Sequence, residues 1–276
     1  MPALAGREFV KMSGSGNDFV MVDARTTAPG DLAQPEVISS ISARGTGIGA
    51  DGIVFLVPSS RADVRLLYLN SDGSVADLCG NATLCTTRLA VRLGIGRPQG
   101  MTIETGAGII HARILSSGEP EIDLEEVTDV RPASEGISVV GPERRIGFAK
   151  AGIPHLVLEV ADVAQVDVLG RGRALRFHES LRPEGANVNF VSTDQSGAWV
   201  MRTYERGVEG ETLACGTGAV ASAILITQWE AGSAPVSLRT RSGRRLTVRL
   251  KRTSAGWIPS LSGEARFVFD GRFGEL

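Results

Sequence analysis

Two cysteines open matching stretches of this chain. One stretch runs Asp72-Gly73-Ser74-Val75-Ala76-Asp77-Leu78-Cys79-Gly80-Asn81, the other Glu209-Gly210-Glu211-Thr212-Leu213-Ala214-Cys215-Gly216-Thr217. In both, acidic and glycine residues lead into Leu, Cys and Gly, and small helix-tolerant residues follow, Thr86 to Val91 and Ala219 to Ile226. Each stretch reads as a loop that turns into a helix with a thiol at its first turn. There the N–H groups of the helix end and the macrodipole stabilise a thiolate. The N–H groups of Gly80, Asn81, Gly216 and Thr217 are also a ready site for a carboxylate. If the two helix N-termini face each other, one carboxylate can be held by both, and the α-carbon beside it lies between two sulfurs. That arrangement suits deprotonation on one face and reprotonation on the other. The same N–H groups would stabilise the charge that develops on the carboxylate.

Other uses of the thiols fit less well. Cys79 and Cys85 are six residues apart, not the two to four of a zinc knuckle, and on a helix that is about 600°, so they do not share a face. Cys85 reads as a small buried hydrophobe. With three cysteines in all, a disulfide scaffold is not expected, and a reducing cytoplasm is the default compartment. The Cys-x-x-Cys spacing of a thiol redox protein is absent. Gly47-Ile48-Gly49-Ala50-Asp51-Gly52 matches G-x-G-x-x-G, but a helix precedes it and a strand follows, the reverse of a dinucleotide fingerprint. It reads as a turn that lines a site.

The elements that must position the thiols follow from local pattern. Phe9 to Met12 and Phe19 to Asp23 read as strands around a glycine turn, and Gln34 to Ala43 as a helix with Pro35 in its first turn. Strands follow at Ile53 to Val57 and Val64 to Leu69, then the first cysteine helix to about Leu93, then strands at Met101 to Thr105, Gly108 to Leu115 and Glu121 to Leu124. A second half has strands at Phe148 to Ala151, Leu156 to Val160, Asn187 to Val191 and Ala198 to Tyr204, then the second cysteine helix to about Trp229. Val236 to Thr240, Arg245 to Leu250 and Ala265 to Phe269 read as final strands. Each half is thus mostly antiparallel-looking strands with one apolar helix, an internal repeat of long period. Gly16-Asn17-Asp18-Phe19-Val20 and Gly185 to Val191 read as a second matching pair. The boundary is placed between Glu125 and Ala133, giving domains of residues 1–127 and 128–264, with the strand at 265–276 returning to the first.

Bulk properties are those of an ordinary globular chain: 276 residues, 42% hydrophobic and 22% charged. A net charge of −2 gives no electrostatic case for a nucleic-acid or membrane partner. Met1 to Val10 shows no secretory pattern, and no apolar run approaches the ~20 residues of a membrane span. The chain has only Lys11, Lys150 and Lys251 for a Schiff base, and none sits in a phosphate-cradling context, so pyridoxal phosphate is not expected.

Taken together, several motifs resemble those of the diaminopimelate epimerase family. They are Lys11-Met12-x-Gly14-x-Gly16-Asn17-Asp18-Phe19, Gly47-Ile48-Gly49-Ala50-Asp51, Asn70-x-Asp72-Gly73-Ser74, Cys79-Gly80-Asn81, Gly152-x-Pro154-His155, Asn187-Val188-Asn189-Phe190, Glu205-Arg206-Gly207 and Glu211-Thr212-x-Ala214-Cys215-Gly216-Thr217-Gly218. They occur in order over nearly the whole chain. The resemblance implies an isomerase that interconverts LL- and meso-diaminopimelate with two cysteines and no cofactor or metal. It implies an α+β fold of two pseudo-symmetric domains, each a mostly antiparallel β-barrel around a central helix, with the active site in the cleft between them. A cytoplasmic homodimer acting on a small amino acid is implied as well. By the same resemblance, Cys79 and Cys215 are the acid/base pair, and Gly80, Asn81, Gly216 and Thr217 hold the reacting carboxylate. Glu205 binds the amino group or tunes a cysteine, and His155 supports it. Asn17, Asn70, Asn187 and Arg206 take the remaining polar groups, with Arg206 clamping the distal carboxylate through its planar fork.

The chain departs from the family pattern at several places. Ile153 replaces an asparagine before Pro154-His155, on the side of the distal group. Gly52 stands where some members carry a glutamine, Ala82-Thr83-Leu84 replaces Gly-Ala-Arg, Ser13 replaces a histidine, and the loop at Val208-Glu209-Gly210 is one residue longer. Two further readings stay open: a racemase of the same superfamily acting on another amino acid such as histidine, and a non-catalytic amino-acid-binding relative.

Overall fold

Apolar runs become strands in the computed structural model, which describes residues 6–134 and 136–274. Residues 1–5, part of the stretch read as lacking a secretory signal, and 275–276 of the expected final strand lie outside the described residues. The chain forms two compact units, Met1–Ile122 with Ser262–Leu276, and Asp123–Leu261. The boundary expected at 127/128 thus stands at Ile122/Asp123.

The first unit contains β1 (Glu8–Gly14), β2 (Asn17–Asp23), α1 (Pro35–Ser42), β3 (Gly52–Val57), β4 (Val64–Asn70), β5 (Val75–Ala76), α2 (Gly80–Arg92), β6 (Met101–Thr105), β7 (Gly108–Ile114) and β8 (Pro120–Asp123). The second contains β9 (Val130–Arg131), β10 (Glu143–Ala151), β11 (Ile153–Val160), α3 (Val168–Arg176), β12 (Asn187–Thr193), β13 (Trp199–Glu205), β14 (Gly210–Thr212), α4 (Gly216–Gln228), β15 (Val236–Arg239), β16 (Arg245–Arg252) and β17 (Trp257–Gly263). A last strand, β18 (Ala265–Arg272), returns to the first unit and pairs antiparallel with β1.

The two units repeat one wiring. β1 pairs antiparallel with β2, β2 parallel with β3, β3 antiparallel with β4, β4 antiparallel with β5 and parallel with β6, and β6 antiparallel with β7. β10, β11, β12, β13, β14, β15 and β16 repeat each of these steps in the same order and sense. The parallel pairs are an addition to the antiparallel reading. A parallel pair needs a long crossover, and each of these crossovers carries a helix. The role of β18 beside β1 is taken beside β10 by β9.

Register turns this repeat into residue equivalences. Tyr68 faces Ala76, and Thr203 faces Thr212. Each cysteine lies three residues after the second member of its pair, so Cys79 and Cys215 occupy one topological position. The second matching pair read from the sequence does not survive. Asn17 begins β2 and Asn187 begins β12, and β12 is the counterpart of β3. Phe19 faces Gly52 as His155 faces Asn187, so Gly52 is the counterpart of Asn187, and Ile153 that of Asn17.

The cysteine helices are the centres of their units. α2 packs against β1, β2, β4, β6, β7 and β18, and α4 against β10, β11, β12, β15 and β16. Gly218 to Ile226 of α4 are all buried, as a helix apolar all round requires. Two of the three buried threonines of α2 are satisfied by the preceding turn: Thr83 Oγ1 donates to Cys79 O at 2.9 Å and Thr87 Oγ1 to Thr83 O at 2.8 Å, whereas the Thr86 hydroxyl meets no partner among the described residues. A second helix covers each unit from outside. α1 contributes Val37, Ile38 and Ile41 to a cluster with Val20, Ile53 and Phe55. α3, which the sequence reading left out, contributes Val168 and Leu175 to a cluster with Leu156, Val188 and Tyr204. Two glycines weaken its helix pattern, yet Gly172 lets Tyr204 approach, and the Asp167 side chain caps it by accepting from Gly170 N at 2.9 Å. No helix among the described residues is long and apolar enough to cross a membrane.

Candidate active site

Both cysteines are N-cap residues. Cys79 has φ −131° and ψ 113°, and Cys215 has φ −134° and ψ 110°, each extended just before the first helical turn. Gly80 and Asn81, and Gly216 and Thr217, therefore head their helices with N–H groups that have no acceptor within the helix. Gly80, Gly216 and Thr217 are half-buried and Asn81 is buried.

In the second unit the sulfur of Cys215 is ringed by polar groups. Gly218 N–H donates to it at 3.4 Å, Asn187 Nδ2 at 3.9 Å, and Thr217 Oγ1 lies 3.6 Å away. The polarity of Asn187 is set by the backbone, because its Oδ1 accepts Arg206 N–H at 2.7 Å, which leaves the NH2 for the sulfur. Asn187 is fully buried, so its amide serves Cys215 and the Arg206 loop.

Beneath this ring lies a buried amide network. Asn189 Nδ2 donates to Leu156 O at 3.0 Å and lies 3.2 Å from His155 Nδ1, and its Oδ1 accepts from Thr203 Oγ1 at 3.0 Å. Gly218 is required above it: a Cβ there would stand 2.3 Å from Asn189 Oδ1 and 3.1 Å from the Cys215 sulfur. Burial, and secondarily the charge of Arg206, pushes the His155 pKa down to about 3. The ring is therefore neutral at pH 7. With Nδ1 accepting from Asn189, the proton sits on Nε2, which meets no acceptor among the described residues. His155 is placed to donate a hydrogen bond, and burial disfavours its charged form at neutral pH.

Glu205 ends β13, half-buried, and Arg206 begins the loop after it. The guanidinium of Arg206 donates to Glu184 O at 3.3 Å. The loop is pinned by Glu209, which accepts from Gly207 N–H at 3.1 Å, Arg176 Nε at 3.3 Å and Tyr204 OH at 3.2 Å. Burial tends to raise the Glu209 pKa, but the hydrogen bond from Gly207 and the charge of Arg176 outweigh it and hold the carboxyl below its usual range. Thus the extra residue in this loop comes with its own anchor.

The first unit builds its half around α2 differently. Asn81 Nδ2 donates to Asn17 Oδ1 at 2.7 Å, and Asn17 Nδ2 to Asp51 Oδ2 at 2.9 Å. Asp51 comes from the glycine loop, whose Ile48 and Gly49 N–H groups both bond Ile41 O at the end of α1. Arg44 reaches both Asp18 at 2.6 Å and Asp51 at 2.8 Å, and Lys11 holds Asp18 at 2.6 Å. Burial would raise the Asp18 pKa, but hydrogen bonds from Arg44 and Lys11 hold it below the usual carboxylate range. Asn70 faces Gly52 across β3 and β4, beside Asp51, but its side chain turns to its own loop. Its NH2 donates to Ser74 Oγ at 3.0 Å inside its own turn. Burial pushes the Cys85 thiol far up, so Cys85 stays protonated and inert.

Of the residues singled out in the sequence, the structure groups Cys215, Thr217, Asn187 and Arg206 in one unit, and Asn17 with Asn81 in the other. It adds Asn189, Asp51 and Glu209, which the sequence reading passed over as site residues. Asn189 carried a signal, since alternate residues of a strand share a face and it follows Asn187 by two. Ile153 begins β11 and shares a strand face with His155 for the same reason.

The sequence pattern of the family described as diaminopimelate epimerase matches residues 9–129 and 147–268. A diaminopimelate epimerase of Gemmatimonas aurantiaca is 52% identical over 97% of this chain and 99% of that protein. One of Aquifex aeolicus is 38% identical over 97% of this chain and 98% of its own. In fold, a phenazine biosynthesis protein of the PhzF family from Bacillus anthracis superposes with a TM-score of 0.75 over 98% of this chain and 99% of that one, at 17% identity. A hydroxyproline epimerase from Agrobacterium vitis does so with a TM-score of 0.69 over 97% and 93%, also at 17% identity.

Proposed function

The chain belongs to the diaminopimelate epimerase family of isomerases, and on that premise we propose that it interconverts LL- and meso-2,6-diaminopimelate by a cofactor-free, two-thiol proton transfer. The reaction serves lysine and peptidoglycan precursor synthesis. The observation that carries the mechanism is the matched N-cap position of Cys79 and Cys215. One thiolate takes the α-proton: the C–H bond breaks, an S–H bond forms, and the electron pair stays on carbon. The other thiol then gives its proton to the opposite face, breaking its S–H bond and forming the new C–H bond. The second sulfur ends as the thiolate, so the reverse reaction starts from the other side. Charge that spreads into the carboxylate is met by the N–H groups of Gly80, Asn81, Gly216 and Thr217. Gly218 N–H and Asn187 hold charge on the Cys215 sulfur. Glu205 takes an ammonium group, and the His155 Nε2–H donates to the bound substrate or thiolate. Arg206 clamps the distal carboxylate, with Asn17 and Asn70 on the remaining polar groups.

A second reading rests on Ile153, an apolar residue on the His155 face of β11: a racemase of another amino acid, histidine for example. Turnover of LL-diaminopimelate beside a panel of amino acids with a single carboxylate separates the two. Activity confined to a member of that panel sinks the first reading. A cytoplasmic homodimer is part of the proposal, supported by the family resemblance and by thiol chemistry that requires reduced cysteines.

A further inference from the structure

The α2 half contains a chain of hydrogen bonds with a fixed direction. It starts at Asp51, whose carboxylate can only accept. One oxygen, Oδ1, faces Arg44 Nη2 at 2.8 Å. The other, Oδ2, faces Asp18 N–H at 3.1 Å and Asn17 Nδ2 at 2.9 Å. The position is anchored by backbone as well, since Asp51 N–H donates to Asp18 O at 2.8 Å and its carbonyl accepts from Ser71 N–H at 3.1 Å. Facing a pure acceptor, Asn17 must present its NH2 to Asp51 and its carbonyl oxygen to Asn81. Asn81 must then present its NH2 to Asn17, at 2.7 Å. What remains of Asn81 is Oδ1, on a residue only 3% exposed, and no group among the described residues donates to it. Two residues from Cys79, the turn thus ends in an acceptor that lacks a donor.

We propose that Asp51 is a positioning residue whose charge fixes the polarity of the Asn17–Asn81 pair, so that the first turn of α2 presents an acceptor to the substrate's α-ammonium group. The inference rests on the reading of the chain as an amino-acid epimerase and adds a residue to it. An α-ammonium carries three N–H donors and no acceptor, which matches Asn81 Oδ1, while the carboxylate beside it is matched by the backbone N–H groups of the same turn. Were the relay reversed, Asn81 would offer NH2 to a cation, and binding would weaken.

The test is a cycle of Asp51→Asn, Arg44→Met and the double variant. In Asp51→Asn one oxygen replaces two, while donors still line both sides of residue 51. With Arg44 present, its charge draws the oxygen outward at the expense of the Asp18 N–H, and the new NH2 faces Asn17, which reverses the relay. Without Arg44, the oxygen can turn inward and restore it. For LL-diaminopimelate, Asp51→Asn is expected to raise KM about 10-fold or more with kcat within about 3-fold, and the double variant to return KM to within about 3-fold of Arg44→Met. A general loss of structure would not be relieved by removing a second residue. An unchanged KM in Asp51→Asn, or a double variant no better than the single, overturns the proposal. If the wild-type protein does not turn over LL-diaminopimelate, the functional reading has failed, and the relay is read from the thermal midpoints of the same four proteins. A midpoint lower in Asp51→Asn and raised again by adding Arg44→Met then supports it, and a further fall overturns it.

Discussion

A thiol carries protons well only where its charged form is tolerated, and at Cys215 that tolerance has identifiable sources: one helix N–H, one fixed amide and one hydroxyl. Asn187→Ala removes the amide and frees the Arg206 N–H it held. Hydrogen bonds to charged groups contribute about 1.5–3 kcal/mol, so kcat/KM is expected to fall by about 10- to 100-fold. Alkylation of Cys215 at pH 7 should slow in parallel. Unchanged alkylation would show that the amide does not act on the sulfur. His155 adds a pH dependence of stability. Its folded pKa, about 3, lies below the ordinary 6.5, so the folded state binds fewer protons than the unfolded state between those values. Its contribution is complete above pH 6.5 and is lost as pH falls toward 3. From pH 7 to 5 the loss is about 2 kcal/mol, an order-of-magnitude figure. Urea midpoints should fall over that range in the wild type and fall less in His155→Gln. Equal slopes would contradict the neutral, buried assignment.

At the scale of elements, the first turn of α4 sits on Asn189 with no room to spare. Gly218→Ala would push a Cβ into Asn189 Oδ1 and is expected to destabilise the protein by about 1–3 kcal/mol, the usual cost of overpacking. Because Asn189 is bonded to His155 and Thr203, the same change should lower kcat. A thermal scan with a rate measurement checks both, and a variant of normal stability and rate would mean the turn has slack. The caps of α2 and α4 could be read from sequence because capping is local, a matter of which residues precede a run of small and apolar side chains. The network under Cys215 could not, because Asn189 meets His155 through the β11–β12 register and Gly218 through packing of α4. The Asp51 relay was hidden likewise: its glycine loop showed a turn, but its partners lie 33 and 34 residues away. α3 escaped because two glycines break its pattern and its packing against Tyr204 is tertiary. The pairing of Asn17 with Asn187 failed for a different reason. Asn17-Asp18-Phe19-Val20 and Asn187-Val188-Asn189-Phe190-Val191 look alike because each opens an apolar strand with asparagine and reaches Phe-Val, and only strand order shows that β12 answers to β3 and not to β2.

At the scale of the molecule, one wiring used twice supplies two thiols in equivalent positions from a single chain. The duplication is closed unevenly, since β1 receives its outer partner from β18 at the far end of the sequence whereas β10 receives β9 from close by. A chain ending at Leu261 is therefore expected to lose hydrogen-exchange protection in β1 while β10 keeps it. Loss in both strands alike would show that the units do not fold as separate bodies. The claim on which the rest depends is that both thiols act on one α-carbon without a cofactor. Incubating the purified protein with LL-diaminopimelate in deuterated water tests it most directly. The expected result is meso product carrying deuterium at the inverted α-carbon, with Cys79→Ala and Cys215→Ala each slowing epimerisation by about 10³-fold or more while remaining folded. Near-wild-type epimerisation by either variant, or no deuterium at the inverted carbon, would contradict the account.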